Sequence, residues 1–379
     1  MSLVLNEEER MLQDAAKAFL SADVPVSALR ALRDTRDETG FSRATWHAMS
    51  EMGWSGLLIP EAAGGLGFSH VGAGVIAEQC GRTLAASPLL SSAILSAVIL
   101  REAATDAQQQ QWLPGIADGS RLMAVALDES IRHAPLDLVV SARRDDQGWH
   151  LNTCKSLVLD GHVADALIVV ARSAGESGQA NGVSLFVVDP SAEGVTIERC
   201  TMVDSHNAAN VVLNDVVVND EALIGQVGQA WPALERALDV ARVMIAAELL
   251  GLASEAFERT IDYLKQRKQF GTLIGGFQAL QHRCADLFCE LELTRSAVMK
   301  ALRELDDPDA DVRKVASIAK AKAVSTATLA VNEAVQMHGG IGMTDEYEIG
   351  FFMKRAAVLR QLLGDGYFHT NRFASLAGI

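Results

Sequence analysis

The hydrophobic period of this chain changes twice, and this change constrains the fold more than any other feature of the sequence. Apolar residues recur with a helical period in residues 1–119, in short strand-like runs in residues 120–225, and again with a helical period in residues 226–379. A period of about 3.6 residues is typical of helices and a period of about 2 of strands. We therefore expect three domains in the order helical, β, helical, with these boundaries. A chain that alternated strand and helix throughout would instead form a parallel α/β sheet.

Within this order, the apolar runs predict individual elements. Strands are expected at residues 122–127, 138–142, 166–170, 183–188 and 211–218, which together form a barrel or a small sandwich. Long helices are expected at residues 233–266, 278–305 and 312–337. An acidic turn at residues 306–309 separates the last two, which indicates antiparallel neighbours in a bundle.

Charge and cysteine content limit the classes of function. The net charge of −15 argues against nucleic-acid binding, which depends on lysine and arginine. The five cysteines are scattered, without metal-ligand spacing, and suit free thiols in a reducing cytoplasm, so we expect no metal site. Residues 1–20 lack the design of an export signal, and the most apolar stretch, residues 89–100, is too short to span a membrane. We expect a cytoplasmic protein that does not bind a membrane.

Two motifs in the last third of the chain suit a dinucleotide. One is Arg-Lys-Gln-Phe-Gly at residues 267–271, and the other is Gln-Met-His-Gly-Gly-Ile-Gly at residues 336–342. The guanidinium of Arg267 can bind a pyrophosphate, and glycines such as Gly339 and Gly340 let backbone N–H groups approach it. The carboxamides of Gln278 and Gln336 can pair with adenine or ribose. Taken singly, an arginine on a helix is usually solvated, and a glycine pair after a helix is often only a C-terminal cap.

The two motifs and Gln278, in this order and spacing, resemble the cofactor-binding signature of the acyl-CoA dehydrogenase family. The resemblance implies an α+β fold with an N-terminal helical domain, a middle β-barrel and a C-terminal four-helix bundle. It also implies FAD as cofactor, clasped by the helical third of a neighbouring subunit, and hence a homodimer or homotetramer. Phe270 is expected to pack against the flavin edge or the subunit contact, although a position in the protein core is an alternative.

The resemblance also places the catalytic base near the C-terminus. Family members carry a Glu-Gly pair seven residues before an arginine, and here the matching residues are Asp365, Gly366 and Arg372. Asp365 is therefore expected to remove the α-proton of an acyl thioester, with Gly366 contacting the substrate. Aspartate reaches about 1.5 Å less far than glutamate, the length of one C–C bond. The alternative is that residues 364–366 form only a turn, which their composition favours.

A second base position, known in isovaleryl-type relatives, corresponds to Ala241, which has no carboxylate. Its absence there strengthens Asp365. The neighbouring Asp239 and Arg242 match the family pattern, which implies that Asp239 binds the CoA part of the substrate and that Arg242 orients the acidic loop. The alternative is an ordinary ion pair on one helix, since the two residues are three positions apart.

Two middle-domain motifs depart from the family. The usual T-E-P-x-x-G-S-D loop is replaced at residues 127–137, and the usual W-[IV]-[TS]-N-G run is replaced at residues 157–161. In family enzymes the second run carries a hydroxyl that bonds flavin N5, and Leu159 cannot donate such a bond. These changes leave open how the middle domain contacts the flavin.

We therefore predict an FAD-dependent acyl-CoA dehydrogenase of lipid metabolism that passes electrons to an electron-transfer flavoprotein. One alternative is a non-catalytic or partly catalytic subunit of a heteromeric acyl-CoA dehydrogenase, which the altered loops favour. Another is a flavin oxidase of the nitroalkane-oxidase type, in which an aspartate base also occurs. Acyl length, branching and any ring system cannot be inferred from the sequence.

Overall fold

A computed structural model of the chain describes residues 3–379. These residues form two compact units. The first contains residues 3–35, 70–86 and 242–379, and the second contains residues 36–69 and 87–241. Each predicted third of the chain has the predicted type of secondary structure, and the α+β prediction is confirmed. The domain boundaries at residues 119 and 225 stay a prediction.

The first unit is helical. Its helices are α1 (Glu7–Asp23), α2 (Val26–Thr35), α4 (His70–Thr83), most of α7 (Trp231–Gln266), α8 (Gln278–Leu305), α9 (Val312–His338), α10 (Ile349–Gln361) and α11 (Gly366–Ala377), with the short strands β9 (Lys268–Gln269) and β10 (Thr272–Leu273) forming a hairpin. Local signals set the helix ends. At the start of α1, for example, Asn6 Oδ1 accepts the Glu9 N–H at 2.8 Å, and Glu9 Oε2 accepts the Asn6 N–H at 2.9 Å.

Helix α9 lies at the centre of this unit. Its buried face carries a row of small residues: Ala316, Ala319, Ala323, Ala327 and Ala330. Because these side chains are short, neighbouring helices can approach the α9 backbone closely. Helices α8, α10 and α11 pack against it. The predicted long helices at 233–266, 278–305 and 312–337 are present to within two residues at each end.

The second unit combines helices with two sheets. Its helices are α3 (Arg43–Glu51), a π-helical turn (Leu89–Ser96) that continues into α5 (Ala97–Ala103), α6 (Asp106–Ala117) and the start of α7. Its strands are β1 (Met123–Ala126), β2 (Ala142–Asp145), β3 (Gly148–Leu159), β4 (Ala166–Arg172), β5 (Val183–Val188), β6 (Val195–Thr201), β7 (Asn207–Val218) and β8 (Leu223–Ile224). One sheet has the strand order β1-β4-β5-β8, and the other has the order β2-β3-β7-β6.

The two sheets share one apolar core. Residues of β1, β4 and β5 pack against residues of β3 and β7, with Trp149 and Phe186 at a ring-centroid distance of 5.2 Å. All pairs are antiparallel except β1 with β4, where Met123 pairs with Ala166 in parallel. The strand predicted at residues 183–188 has the predicted bounds.

The strand predicted at residues 138–142 is wrong, because β2 begins only at Ala142. A buried arginine explains the difference. The Arg172 guanidinium donates to the carbonyl oxygens of Leu138 at 2.9 Å and Leu136 at 3.3 Å. The Leu138 carbonyl is therefore bound by a side chain rather than by a neighbouring strand, and Val140 forms only an isolated bridge to Arg172 of β4. Among the helices of the described chain, none combines the length and the apolar composition that a membrane span requires.

Candidate active site

Asp365 lies at the start of α11, at the end of a short connection from α10. The two residues before it have left-handed backbone, with φ of +55° at Leu363 and +106° at Gly364. Asp365 itself is extended, and its Oδ1 accepts the Phe368 N–H at 2.8 Å, so it caps the helix. The turn lies at residues 362–363, just before the residues 364–366 of the alternative, and Gly366 already belongs to the helix. The connection holds the carboxylate at the positive end of the α11 dipole, where a negative charge is stabilised.

The connection before Asp365 is fixed by three side chains from three helices. Arg242 of α7 donates from Nε to the Leu363 carbonyl at 3.2 Å. The Nε2 atom of His369, on α11, lies 3.2 Å from the same Leu363 oxygen. Lys320 of α9 donates from Nζ to the Leu359 carbonyl at 2.8 Å and to the Gly364 carbonyl at 3.2 Å. A non-glycine residue with positive φ costs energy, and these bonds hold the connection in that conformation.

All three of these side chains are buried. The pKa of Lys320 is lowered from its ordinary 10.5 to about 7, mainly by burial and also by the nearby Arg242, while Asp365 opposes the fall. Burial also lowers the pKa of His369 to about 2, with Arg242, Lys320 and Arg372 adding to the effect. The imidazole is therefore neutral. Since Nε2 faces a carbonyl oxygen, it carries the ring proton.

Arg242 lies beside the connection that carries Asp365, and its predicted role of orienting that loop stays a prediction. Besides its bond to Leu363, its guanidinium lies over the Phe368 ring at 5.4 Å. It thus contacts the residues on both sides of Asp365. Asp239, one turn earlier on the same helix, is fully buried, so a substrate could reach its carboxylate only if the surrounding side chains moved. Its predicted bond to substrate stays a prediction.

The predicted cofactor-binding segments meet in the helical unit although they are far apart in sequence. Near the end of α7, the Tyr263 hydroxyl donates to the His338 carbonyl at 3.3 Å, and the two rings lie 4.4 Å apart. An apolar cluster of Leu264, Cys284 and Met337 joins the ends of α7 and α9 to the first turns of α8. These contacts place Arg267, Gln278 and Gln336 at the same side of the bundle.

The groups that this region presents are exposed. Arg267, Gln278 and Gln336 are all exposed, and a Cβ built on Gly339 or Gly340 would meet no atom of the described chain within 4 Å. Over residues 3–379, no side chain caps the first turn of α8, which begins at Gln278. A guanidinium, two carboxamides, open glycine backbone and an uncapped helix N-terminus are the donors that a dinucleotide requires. The residues present therefore fit such a cofactor.

Phe270 is at the turn between β9 and β10. Its side chain is 91% exposed, which makes the alternative of a core position within this chain wrong. Its ring packs edge-on against Phe277 at 6.2 Å, and its φ is +54°. Positive φ is unusual for a large side chain such as this one. The exposed ring is suited to contact with a ligand or with a second chain.

The altered loop of the middle domain has its own internal bonds. Lys155 of β3 is fully buried and donates to the Leu127 carbonyl at 3.0 Å and to Glu129 Oε1 at 3.1 Å. The same Glu129 oxygen accepts the Thr153 hydroxyl at 3.0 Å. Burial lowers the pKa of Lys155, and Glu129 opposes that fall. The loop at residues 127–137 is thus held by a buried ion pair.

Sequence reasoning missed Lys320 entirely. A signal was available, because Lys320 is four residues after Ala316 and three before Ala323, on the buried face of α9. A lysine on the apolar side of an amphipathic helix must find partners inside the protein. The sequence likewise assigns no role to His369, and the structure shows that it contacts the Leu363 carbonyl of the Asp365 loop.

Three family models match this chain. The model described as "Acyl-CoA dehydrogenase, N-terminal domain" matches residues 6–120, the middle-domain model matches residues 132–216, and the C-terminal-domain model matches residues 228–375. Together they cover most of the sequence and include every candidate site residue named above in the helical unit.

Individual proteins agree with these matches. The chain is 33% identical to acyl-CoA dehydrogenase FadE12 of Mycobacterium tuberculosis, over 83% of this chain and 82% of the relative. It is 30% identical to the probable acyl-CoA dehydrogenase YngJ of Bacillus subtilis, over 97% and 96%. A solved structure, a variant of the Tcur3481-Tcur3483 steroid ACAD, is 31% identical over 98% of both chains with a TM-score of 0.86.

Proposed function

The chain belongs to the acyl-CoA dehydrogenase family, and on that premise we propose that it introduces a 2,3-double bond into an acyl-CoA thioester, with Asp365 as the base. It is an FAD-dependent oxidoreductase. FAD, when bound, supplies the acceptor for the two electrons that leave the substrate. We propose the identity of the substrate, of the catalytic base and of the protein that accepts the electrons.

The observation that carries the proposal is the fixed carboxylate at the start of α11. Of the two Asp365 oxygens, Oδ1 is bound to the Phe368 N–H, which orients the group. The other oxygen, Oδ2, is the one proposed to take the α-proton. A base must be held close to its proton before the reaction, and the bonds from Arg242, Lys320 and His369 to the preceding residues do this.

The remaining predicted residues receive supporting roles in the same proposal. Gly366 is the first residue of α11, and its backbone at the helix N-terminus is proposed to contact the thioester. Asp239 is proposed to bind the CoA part of the substrate. Arg267, Gln278, Gln336, Gly339 and Gly340 are proposed to hold the FAD of a neighbouring subunit, with Phe270 against it.

We also propose an oligomeric state, an electron acceptor and a cellular role for the protein. The exposed cofactor segments support an assembly of identical chains, a homodimer or homotetramer, because a clasp of this kind requires two protomers. An electron-transfer flavoprotein is proposed as the electron acceptor, since reduced enzyme must be reoxidised. A cytoplasmic location and a role in lipid metabolism complete the proposal.

The test is the substitution Asp365→Asn. Asparagine caps helices about as well as aspartate, so the fold of α11 should persist. We expect the purified variant to be yellow and folded, and its anaerobic bleaching by acyl-CoA esters to be slowed by about 10²- to 10⁴-fold, the usual contribution of a general base. As a control, Asp307→Asn removes an exposed carboxylate outside the site. Unchanged bleaching in Asp365→Asn would defeat the assignment.

A second candidate is a partly catalytic subunit of a heteromeric acyl-CoA dehydrogenase. The replaced loop at residues 127–137, with its buried Lys155–Glu129 pair, favours it, because that loop differs from the family motif that contacts flavin. This candidate predicts that the chain purified alone is nearly colourless and gains FAD only with a partner chain. Rapid reoxidation of the isolated protein by oxygen, with no need for CoA esters, would instead indicate a flavin oxidase.

A further inference from the structure

Lys320 is a buried amine to which the proposed reaction assigns no chemical step. It lies in the middle of α9 with no exposed surface. Desolvating an ammonium group costs several kcal/mol even after the protein relaxes around it. A neutral residue of similar size, such as methionine, would avoid that cost. This cost indicates that the amine has a function at this position.

The two acceptors of Lys320 bracket the connection between α10 and α11. Leu359 is in the last turn of α10, where carbonyl groups have no partner within the helix. Gly364 is the residue immediately before Asp365. By donating to both oxygens, at 2.8 and 3.2 Å, Nζ ties the end of α10 to the backbone that carries the carboxylate. Both carbonyl groups belong to buried residues, so in the folded chain they depend on this donor.

The aspartate makes this tie more important than it would be with a longer side chain. Because Asp365 is one methylene shorter than glutamate, the position of its carboxylate follows the backbone closely. A shift of about 1 Å in a catalytic group can lower the rate by about 10²-fold. Gly364 has φ of +106°, a conformation open chiefly to glycine, so the segment has no strong local preference for the geometry it adopts.

We propose that Lys320 is a positioning residue, which fixes the Gly364 carbonyl and thereby sets the place of the Asp365 carboxylate relative to the substrate. This inference rests on the proposed role of Asp365 as the base. The charged groups near the amine are Arg242 on α7 and Asp365, and α11 also carries Arg372 and the neutral imidazole of His369. Arg242 and His369 do not replace the bonds of the amine, because both donate to Leu363 instead.

The simpler alternative is that Lys320 only stabilises the packing of α9 against α10 and α11. The two interpretations predict different effects of a substitution on stability and on kcat. A packing residue affects stability and FAD content, whereas a positioning residue affects kcat while FAD content and the KM for acyl-CoA stay near those of the wild type. The chain offers a matched control in Lys322, two residues along α9, which pairs with Glu290 on α8 and does not touch the loop.

The experiment compares Lys320→Met, Lys320→Gln, Lys322→Met and Asp365→Asn as purified holoproteins. We expect Lys320→Met to lower kcat by about 10- to 100-fold. Lys320→Gln replaces the amine by an amide NH₂ group one bond shorter in reach, which still has two N–H donors for the two carbonyls, so we expect it to recover part of that loss. Lys322→Met should keep the wild-type kcat. FAD content and KM are measured for each.

A wild-type kcat in Lys320→Met would overturn the inference, as would the absence of any recovery in Lys320→Gln. Loss of folded, yellow protein in both Lys320 variants would also overturn it, because the residue would then serve the fold. The parallel Asp365→Asn variant distinguishes a failure of the proposed base from a failure of the proposed positioning role. If that variant stays active, the proposed base is wrong; if it is inactive and Lys320→Met is unaffected, only the positioning role fails.

Discussion

Two regions of the helical unit differ sharply in burial and in hydrogen bonding. The connection before Asp365 is buried, and its carbonyl groups are bound by Arg242, Lys320 and His369. The region around Arg267, Phe270 and Gly339 is exposed, with an uncapped helix and a phenylalanine in solvent. The first region is complete within one chain. The second presents exposed donors and apolar surface that suit contact with a ligand or another protomer.

This difference predicts that substitutions in the two regions affect different quantities. Changes near Asp365 should alter the rate of the reaction or the stability of the chain. Changes near Arg267 should alter binding of FAD or assembly, with little effect on the folding of the isolated chain. Four experiments test this contrast, in order of decreasing effect.

The largest effect is expected for Arg242→Met. The substitution removes a donor to the Leu363 carbonyl and the contact with the Phe368 ring. We expect kcat to fall by about 100-fold because the carboxylate loses its placement. Stopped-flow reduction by acyl-CoA measures the change. Arg313→Met, which removes an exposed pair with Asp311, is the control; equal rates in the two variants would contradict the account.

In the exposed region, Arg267→Ala should weaken FAD binding by about 10- to 100-fold, as expected for loss of a charged hydrogen bond worth about 1.5–3 kcal/mol. The melting temperature of the apoprotein should not change, because the side chain is exposed. Titration of apoprotein with FAD, followed by absorbance, measures the affinity. A large drop in apoprotein stability would show that Arg267 belongs to the fold.

The pH dependence of stability tests the buried amine. The folded-state pKa of Lys320 is lowered from 10.5 to about 7, so between these values the unfolded chain binds more protons than the folded chain. Wild-type stability should therefore rise with pH from about 7 toward 10.5, by up to about 1.4 kcal/mol per pH unit relative to Lys320→Met. Urea unfolding at pH 7 and pH 9 provides the comparison. A difference that stays constant would show that the amine titrates normally.

The smallest effect on the isolated chain is expected for Phe270→Ser. With 91% of the side chain exposed, the free energy of unfolding of the monomer should change by less than about 0.5 kcal/mol. Assembly should weaken if a neighbouring subunit covers the ring, and sedimentation at several concentrations detects this. Leu3→Ser, which changes an exposed apolar residue far from the cofactor segments in sequence, should leave assembly unchanged.

The sequence predicts the fold well because periodicity reports which face of a helix or strand is buried. The long helices, and the strand at residues 183–188, follow from apolar spacing alone. The strand predicted at residues 138–142 fails at its start because the Arg172 side chain binds the Leu138 carbonyl and that of Leu136 just before it. No local pattern shows such a contact.

The sequence predicts candidate site residues where their chemistry lies in a motif. Asp365 and Arg242 follow from their resemblance to family positions, and in the structure both lie at one connection. Lys320 and His369 act through backbone oxygens of Leu359, Gly364 and Leu363. Their partners have no side-chain signature, so these contacts could be seen only once the helices were packed.

The most direct test of the central claim is a crystal structure of the protein with FAD and an unreactive acyl-CoA analogue. The account predicts an Asp365 carboxylate oxygen within about 3.5 Å of the α-carbon, the distance of a near-attack geometry. It also predicts the Lys320 bonds to Leu359 and Gly364 unchanged. An Asp365 side chain in bulk solvent, or a different carboxylate at the α-carbon, would contradict it.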